Sequence, residues 1–199
     1  MLGNLLMLYL AAFPLMGSPG PATLSLAAVG STYGFRKGLK YYVGVVLGTF
    51  SVLLLVATGV TGIILAEPRL AVVVSLLAAA YILYLAYKIA TAPVGAAAST
   101  GALVPAFSGG FLLAIANPKA FAAIGAVYSS NTLIEGNVAL DNIAKISAIF
   151  VVILVVNIVW LAIGELLSAA LRRPKTARAI NIVFAVLLVV SVGTALASF

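Results

Sequence analysis

Long apolar runs, separated by short charged or turn-rich segments, divide this chain into six pieces. The first covers residues 5–30, with no charged side chain until Arg36. The second lies between Lys40 and Glu67, and the third between Arg69 and Lys88. A segment rich in Ala, Gly and Ser at residues 91–101 reads as a loop, and a fourth run follows at residues 103–130. The fifth lies between Lys145 and Glu165, and the sixth covers residues 180–198. A bilayer core of about 30 Å takes roughly 20 helical residues, which is the size of each run. The pattern predicts membrane-spanning helices, because lipid offers no partner to the open edge of a strand.

Two of the runs are interrupted near their middles, the first by Ser18-Pro19-Gly20-Pro21 and the fourth by Asn117-Pro118-Lys119. A proline inside a helix removes one amide donor and frees the carbonyl four residues earlier. Pro19 therefore frees Leu15, Pro21 frees Gly17 and Pro118 frees Ala114. Ser18 or Gly20, and Asn117, suit the N-cap position directly ahead of a proline that opens a helix. Each motif reads as the start of a half-helix at membrane depth, where free amides and the positive dipole end attract an anion. A proline kink with no ligand is the plain alternative for either motif alone.

Broken helices three spans apart cross the membrane in opposite directions. That is the signature of an inverted-repeat carrier with a site at the midplane. The expected fold is an all-α integral membrane protein of six transmembrane helices, arranged as two inverted three-helix repeats with helices one and four broken. Residues 1–90 form the first repeat, 91–106 a cytoplasmic linker and 107–199 the second repeat.

Composition sharpens this picture. Of 199 residues, 64% are hydrophobic and only 8% charged, with a mean hydropathy of +1.27; a soluble domain carries roughly 25% charged residues. The amino terminus lacks a charged leader segment and reads as the first span rather than a removable signal. There is no cysteine and no histidine, so disulfides, thiol relays and soft-metal sites are excluded and the usual general base is missing. No cofactor or metal is expected, nor an enzyme. The net charge of +7 is a topological signal here, not a nucleic-acid one. Arg36, Lys37, Lys40, Lys88, Arg172, Arg173, Lys175 and Arg178 fall on one side; Arg69 and Lys145 fall on the other, with Glu67, Glu135 and Asp141. The excess places the first side in the cytoplasm and both termini outside.

Lys119 is the most informative single residue. A lysine at mid-bilayer costs about 2.5–3.5 kcal/mol on insertion scales and usually faces a cavity or a partner. The alternative, snorkelling to an interface, requires too long a reach from the middle of the run. Glu165 is the one carboxylate inside a run; it reads either as a shallow residue paired with a loop arginine or as a proton-coupling group. Thr23 and Ser25 follow the first break and are placed to line the same cavity. Asn157 sits mid-span, where its amide needs a partner, and Tyr81 is deep enough to reach a cavity. Tyr84 and Tyr87 read as interfacial. Gly44 and Gly48, and Gly59 with Gly62, read as small faces for close helix contact.

Together these residues carry a resemblance. Ser18-Pro19-Gly20-Pro21, the Gly34-Phe35-Arg36-Lys37-Gly38-Leu39 loop with Gly44 and Gly48 behind it, the Ala80–Leu85 pattern, and Gly110-Phe111 leading to Asn117-Pro118-Lys119-Ala120 resemble, in order, the motifs of the LysE/RhtB-type amino-acid exporters. Trp160 and the basic segment at residues 172–178 fit as well. The resemblance implies a six-helix exporter of amino acids or close derivatives, driven by an ion gradient and dimeric. Family members often carry an acid after the second glycine of helix two, where this chain has Thr49; Glu165 is then the remaining intramembrane coupling candidate.

The sequence thus predicts a secondary transporter of the inner membrane that exports a neutral amino acid by alternating access. The substrate site is expected at Ser18, Pro19, Gly20, Pro21, Thr23, Tyr81, Asn117, Pro118, Lys119 and Asn157, with a proton as the coupling ion. Its partners are the small solute, the lipid bilayer and a second copy as homodimer, and not nucleic acid. Export of an organic acid or cation, or a role as a non-transporting scaffold or channel subunit, are the competing readings.

Overall fold

The computed structural model describes residues 2–59 and 106–166, the backbone of 167–170, and isolated positions between 76 and 91 and between 175 and 190. The described residues form helices and turns. Helix α1 is Leu2–Gly17, α2 Pro21–Tyr33, α3 Phe35–Ala57, α4 Phe107–Ile115, α5 Pro118–Ser130 and α6 Val138–Ala170.

The first run is α1 and α2 together, bent by 64° at Ser18-Pro19-Gly20; the fourth is α4 and α5, bent by 59° at Ala116-Asn117. Both prolines that open a half-helix stand at its first position, where the missing amide has no intrahelical partner to lose. Two described helices, α3 and α6, are long and apolar enough to cross a membrane, which makes two to four candidate spans, four where each bent pair is one span. Most of the third and sixth runs, with Tyr81, Gly62, Lys88 and Arg172, lies outside the described residues.

Two boundaries differ from the sequence reading. Helix α3 starts at Phe35, ahead of Lys40, because Gly34 adopts φ 83° and turns the chain from α2 directly into α3; only glycine takes that conformation without strain. Helix α6 starts before Lys145, capped by the Asn137 side chain on the Leu140 amide at 3.0 Å. At 33 residues and 1.5 Å per residue it is roughly 50 Å long. Its first turns carry Asp141 and Lys145, expected in a loop but found buried in the helix and paired at 2.8 Å. Asp141 Oδ1 also accepts the amides of Leu133 and Ile134, at 2.6 and 2.9 Å. Lys145 lies 4.3 Å from the centre of the Tyr128 ring. The ion pair therefore pins the α5–α6 connection to α6.

The outward faces are apolar: Leu6, Leu10 and Phe13 on α1, and Val151, Val155, Val159 and Ile163 on α6, are exposed. A water-facing helix would place charges there; a lipid-facing one has no need to. Inside, α3 packs on α4 and α2 packs on α6, and α3 and α6 also meet. Both main seams run backbone to backbone. A Cβ on Gly44 would lie 2.1 Å from the Phe107 carbonyl oxygen, and one on Gly110 2.4 Å from that of Tyr41. A Cβ on Gly30 would lie 2.2 Å from the Leu161 oxygen, and one on Gly164 2.1 Å from that of Ala27. Close approach between glycine faces is a membrane packing device, since lipid supplies no hydrophobic drive between helices. Helix α1 meets α5 and α6, and α2 and α3 touch α4 and α5 respectively.

Candidate functional site

The two breaks meet. Lys119, on the first turn of α5, reaches to the first break, where its ammonium donates to the Ser18 carbonyl, to Ser18 Oγ at 2.8 Å and to the Pro19 carbonyl at 3.1 Å. Three acceptors take the three protons of a primary ammonium. The lysine stem lies across Gly20: a Cβ there would stand 2.6 Å from Lys119 Cδ.

Each carbonyl freed by a proline of the two breaks has a donor. Ser18 Oγ donates to Leu15 O at 2.9 Å, the Trp160 indole donates to Gly17 O at 3.0 Å, and the Asn117 amide donates to Ala114 O at 3.3 Å. The breaks therefore leave none of these three carbonyls orphaned, which would be costly in an apolar surrounding. Local caps complete them. Thr23 Oγ1 accepts the Gly20 amide at 2.9 Å, and Asn117 Oδ1 accepts the Lys119 amide at 3.2 Å.

Beside Lys119 lies a cavity of about 40 Å³, lined by Gly20, Thr23, Asn117, Lys119 and Asn157 among the residues foreseen, and also by Met16, Thr49, Ala120, Ile124 and Val156. One water needs roughly 10–15 Å³ by this measure, so this conformation holds a few waters and no amino acid. Among the described residues its polar lining is neutral apart from Lys119. Asn117, Thr23, Thr49 and Asn157 are all buried. Among the described residues Asn157 makes one hydrogen bond, from Nδ2 to Ile153 O at 2.8 Å, which leaves its carbonyl oxygen for the cavity. Asn117 Nδ2 likewise has no partner among them.

The start of α2 is similarly open. In an unbroken helix the Ser18 and Pro19 carbonyls would accept the amides of Ala22 and Thr23. Here those carbonyls take Lys119, the first regular bond is Leu24 N to Gly20 O, and the two amides have no acceptor among the described residues. Two buried N–H groups at a positive helix end can hold a carboxylate.

Other foreseen residues fall outside the cavity. Ser18 and Pro19 hold Lys119 from the side; Pro21 and Pro118 shape the half-helix starts without lining the space. Ser25 donates to Ala22 O at 2.7 Å and accepts from the Tyr41 hydroxyl at 3.0 Å, within the core. Glu165 is exposed, with Oε1 3.7 Å from where a Gly34 Cβ would be, at the α2–α3 turn. Tyr81 lies outside the described residues. Sequence reasoning gave Thr49 and Trp160 no place at the site. The signal for Trp160 was present: three freed carbonyls in a chain with a single indole donor.

Comparison with known proteins agrees in extent with the motif pattern. A family model described as LysE type translocator matches residues 14–198. The chain is similar to the cysteine/O-acetylserine efflux protein of Salmonella typhimurium, 31% identical over 174 residues that cover 86% of this chain and 87% of the relative. The proteins of the same name from Salmonella typhi and Escherichia coli are 30% and 29% identical over 173 residues, with the same coverage. No solved structure matches.

Proposed function

Since this chain belongs to the LysE type translocator family, and is thus a multi-pass membrane transporter and not an enzyme, we propose that it exports amino acids across the inner membrane by alternating access, driven by an ion gradient. The observation that carries this reading is the neutral polar cavity at the junction of two broken helices, with Lys119 as its charged wall. Free amides at the start of α2 and the Lys119 ammonium suit an α-carboxylate, and the coulombic attraction is weakly screened in such a setting. Occupancy neutralises Lys119, so the loaded carrier reorients more readily than the empty one.

Six spans in two inverted repeats are part of the proposal. Exchanging α1 with α4, α2 with α5 and α3 with α6 turns the α2–α6 contact into α5–α3, α3–α4 into α6–α1 and α1–α5 into α4–α2, and all six contacts exist. That equivalence supports a repeat at residues 1–90 and 107–199. The basic loops support both termini outside.

We assign a small neutral amino acid as substrate. Among the described residues no carboxylate lines the cavity, so a second cationic group finds no counter-charge there, and Lys119 repels it. The relatives named for cysteine and O-acetylserine efflux support the same class. A proton is the proposed coupling ion. Glu165 is its proposed carrier, about two turns of α6 beyond Asn157 at the α2–α3 turn. A homodimer is the proposed assembly.

Counterflow in proteoliposomes across a panel of amino acids tests the reading. Saturable exchange of a neutral amino acid, stimulated by an imposed pH gradient, is expected. Absence of exchange for every amino acid, or non-saturable leakage, overturns it.

A further inference from the structure

The first break already holds an ammonium, and that ammonium belongs to the protein. Ser18 O, Ser18 Oγ and Pro19 O converge on Lys119 Nζ. These are three neutral oxygens arranged for three protons, with no carboxylate among them. Directly behind them are the Ala22 and Thr23 amides that those carbonyls would otherwise have taken, in two residues that line the cavity. One break thus offers a cage for a primary ammonium and two donors for a carboxylate, which are the two ends of a free α-amino acid.

We propose that the Ser18–Pro19 cage is the subsite for the substrate α-ammonium, and that Lys119 is a tethered stand-in occupying it in the empty carrier. This rests on the export reading above and adds to it the identity of the group that enters the cage. Substrate entry is then an exchange. The incoming ammonium takes the three oxygens, and the displaced Lys119 ammonium meets the incoming carboxylate beside the α2 amides. Every charge keeps a partner throughout. A ligand with one end only breaks that balance: an amine strands Lys119, and a carboxylate draws Lys119 away and leaves the cage oxygens empty, each a costly state in a partly buried site. The exchange also makes space, because the lysine stem now lies over Gly20 at the wall of the cavity. Selection for an unmodified α-amino group follows, without any carboxylate in the site.

The test uses purified protein in detergent with ethylammonium, L-alanine and N-acetyl-L-alanine as probes, and the thermal midpoint as the readout of binding. Wild type should respond to L-alanine and to neither of the others. Lys119→Ala, with its cage vacant, should bind ethylammonium at least about tenfold more tightly than wild type, the equivalent of removing one charge-assisted competitor. Equal ethylammonium binding by the two proteins, or N-acetyl-L-alanine binding wild type as well as L-alanine does, overturns the assignment. Should Lys119→Ala not fold, Gly20→Ala serves: it keeps the charge but crowds the stem, and a lack of gain in ethylammonium binding there is equally decisive against the cage. Because the ethylammonium gain is read without transport, it can stand or fall separately from counterflow.

Discussion

Lys119 and Ser18 lie 101 positions apart in the chain, yet the ammonium of one is bonded to both the carbonyl and the hydroxyl of the other. This contact fastens the second break to the first. It places a full positive charge against the carbonyl end of α1, where the dipole is negative, and leaves the positive end of α2 facing the cavity.

Removing that charge should separate insertion from transport. Lys119→Ala deletes a costly group from the membrane interior, so the variant is expected to insert and to be recovered in normal amounts. Its substrate-dependent flux should fall to background in proteoliposomes. Lys119→Arg keeps the charge but presents a planar fork to a cage shaped for a compact ammonium, and should retain a fraction of the activity. Wild-type flux in a well-expressed Lys119→Ala protein would show that the residue is structural.

Trp160 should matter to stability rather than to selectivity. Trp160→Phe keeps the ring and removes the donor to Gly17 O, leaving a carbonyl freed by Pro21 without its partner. A loss of about 1–3 kcal/mol is expected for an acceptor orphaned in this way. It should be measurable as a lower thermal midpoint in detergent, with the order of substrate preference unchanged.

Much of this site is legible in the sequence, and the reason is proline. Its missing amide, at Pro19, Pro21 and Pro118, accompanies the two breaks, so the bends after Gly17 and Ile115 and the acceptors freed there could be named in advance, whereas Pro14 sits inside α1 without breaking it. Lys119 could be placed at the second break for the same local reason. Its partners could not, because nothing in the chain near Ser18 announces a contact with residue 119. Asp141 and Lys145 have helical i,i+4 spacing, but a charged pair beside Asn137 and Gly136 also fits a loop. Only the amides of Leu133 and Ile134, turned back onto Asp141, show why the helix begins early. The count along the run left Glu165 open between a shallow residue and a coupling group, and the fold sets it exposed beside the α2–α3 turn; distance along a run says nothing of which face a residue takes.

Selectivity should follow the charge count of the cavity. Thr49 lines it, and its hydroxyl donates to Val45 O at 2.8 Å. Thr49→Asp adds a carboxylate to the lining that Lys119 shares, which supplies the counter-charge a basic side chain lacks among the described wild-type residues. Lysine should then compete with the neutral substrate in counterflow, where it is inert against the wild-type protein. Strong, saturable lysine exchange by the unaltered protein, with none for neutral amino acids, would refute the assignment of substrate class.

Orientation is open to direct labelling. Single cysteines at Gly3 and Ser198 in this cysteine-free chain should react with an impermeant maleimide in intact cells, whereas one at Lys37 should react only after permeabilisation. The opposite pattern would reverse the topology drawn from the basic loops.

The glycine seams limit how the protein can move. Where Gly44 and Gly110 join α3 to α4, and Gly30 and Gly164 join α2 to α6, backbone rests on backbone with no flexible side chain between. Neither pair can slide or part without losing its closest contacts. An opening that preserves both seams therefore sorts the helices into two rigid bodies, α2 with α6 and α3 with α4, each drawing one helix from either half of the chain. The joints left to that motion are the left-handed turn at Gly34, where one body passes into the other, and the two proline breaks at which the substrate site is proposed.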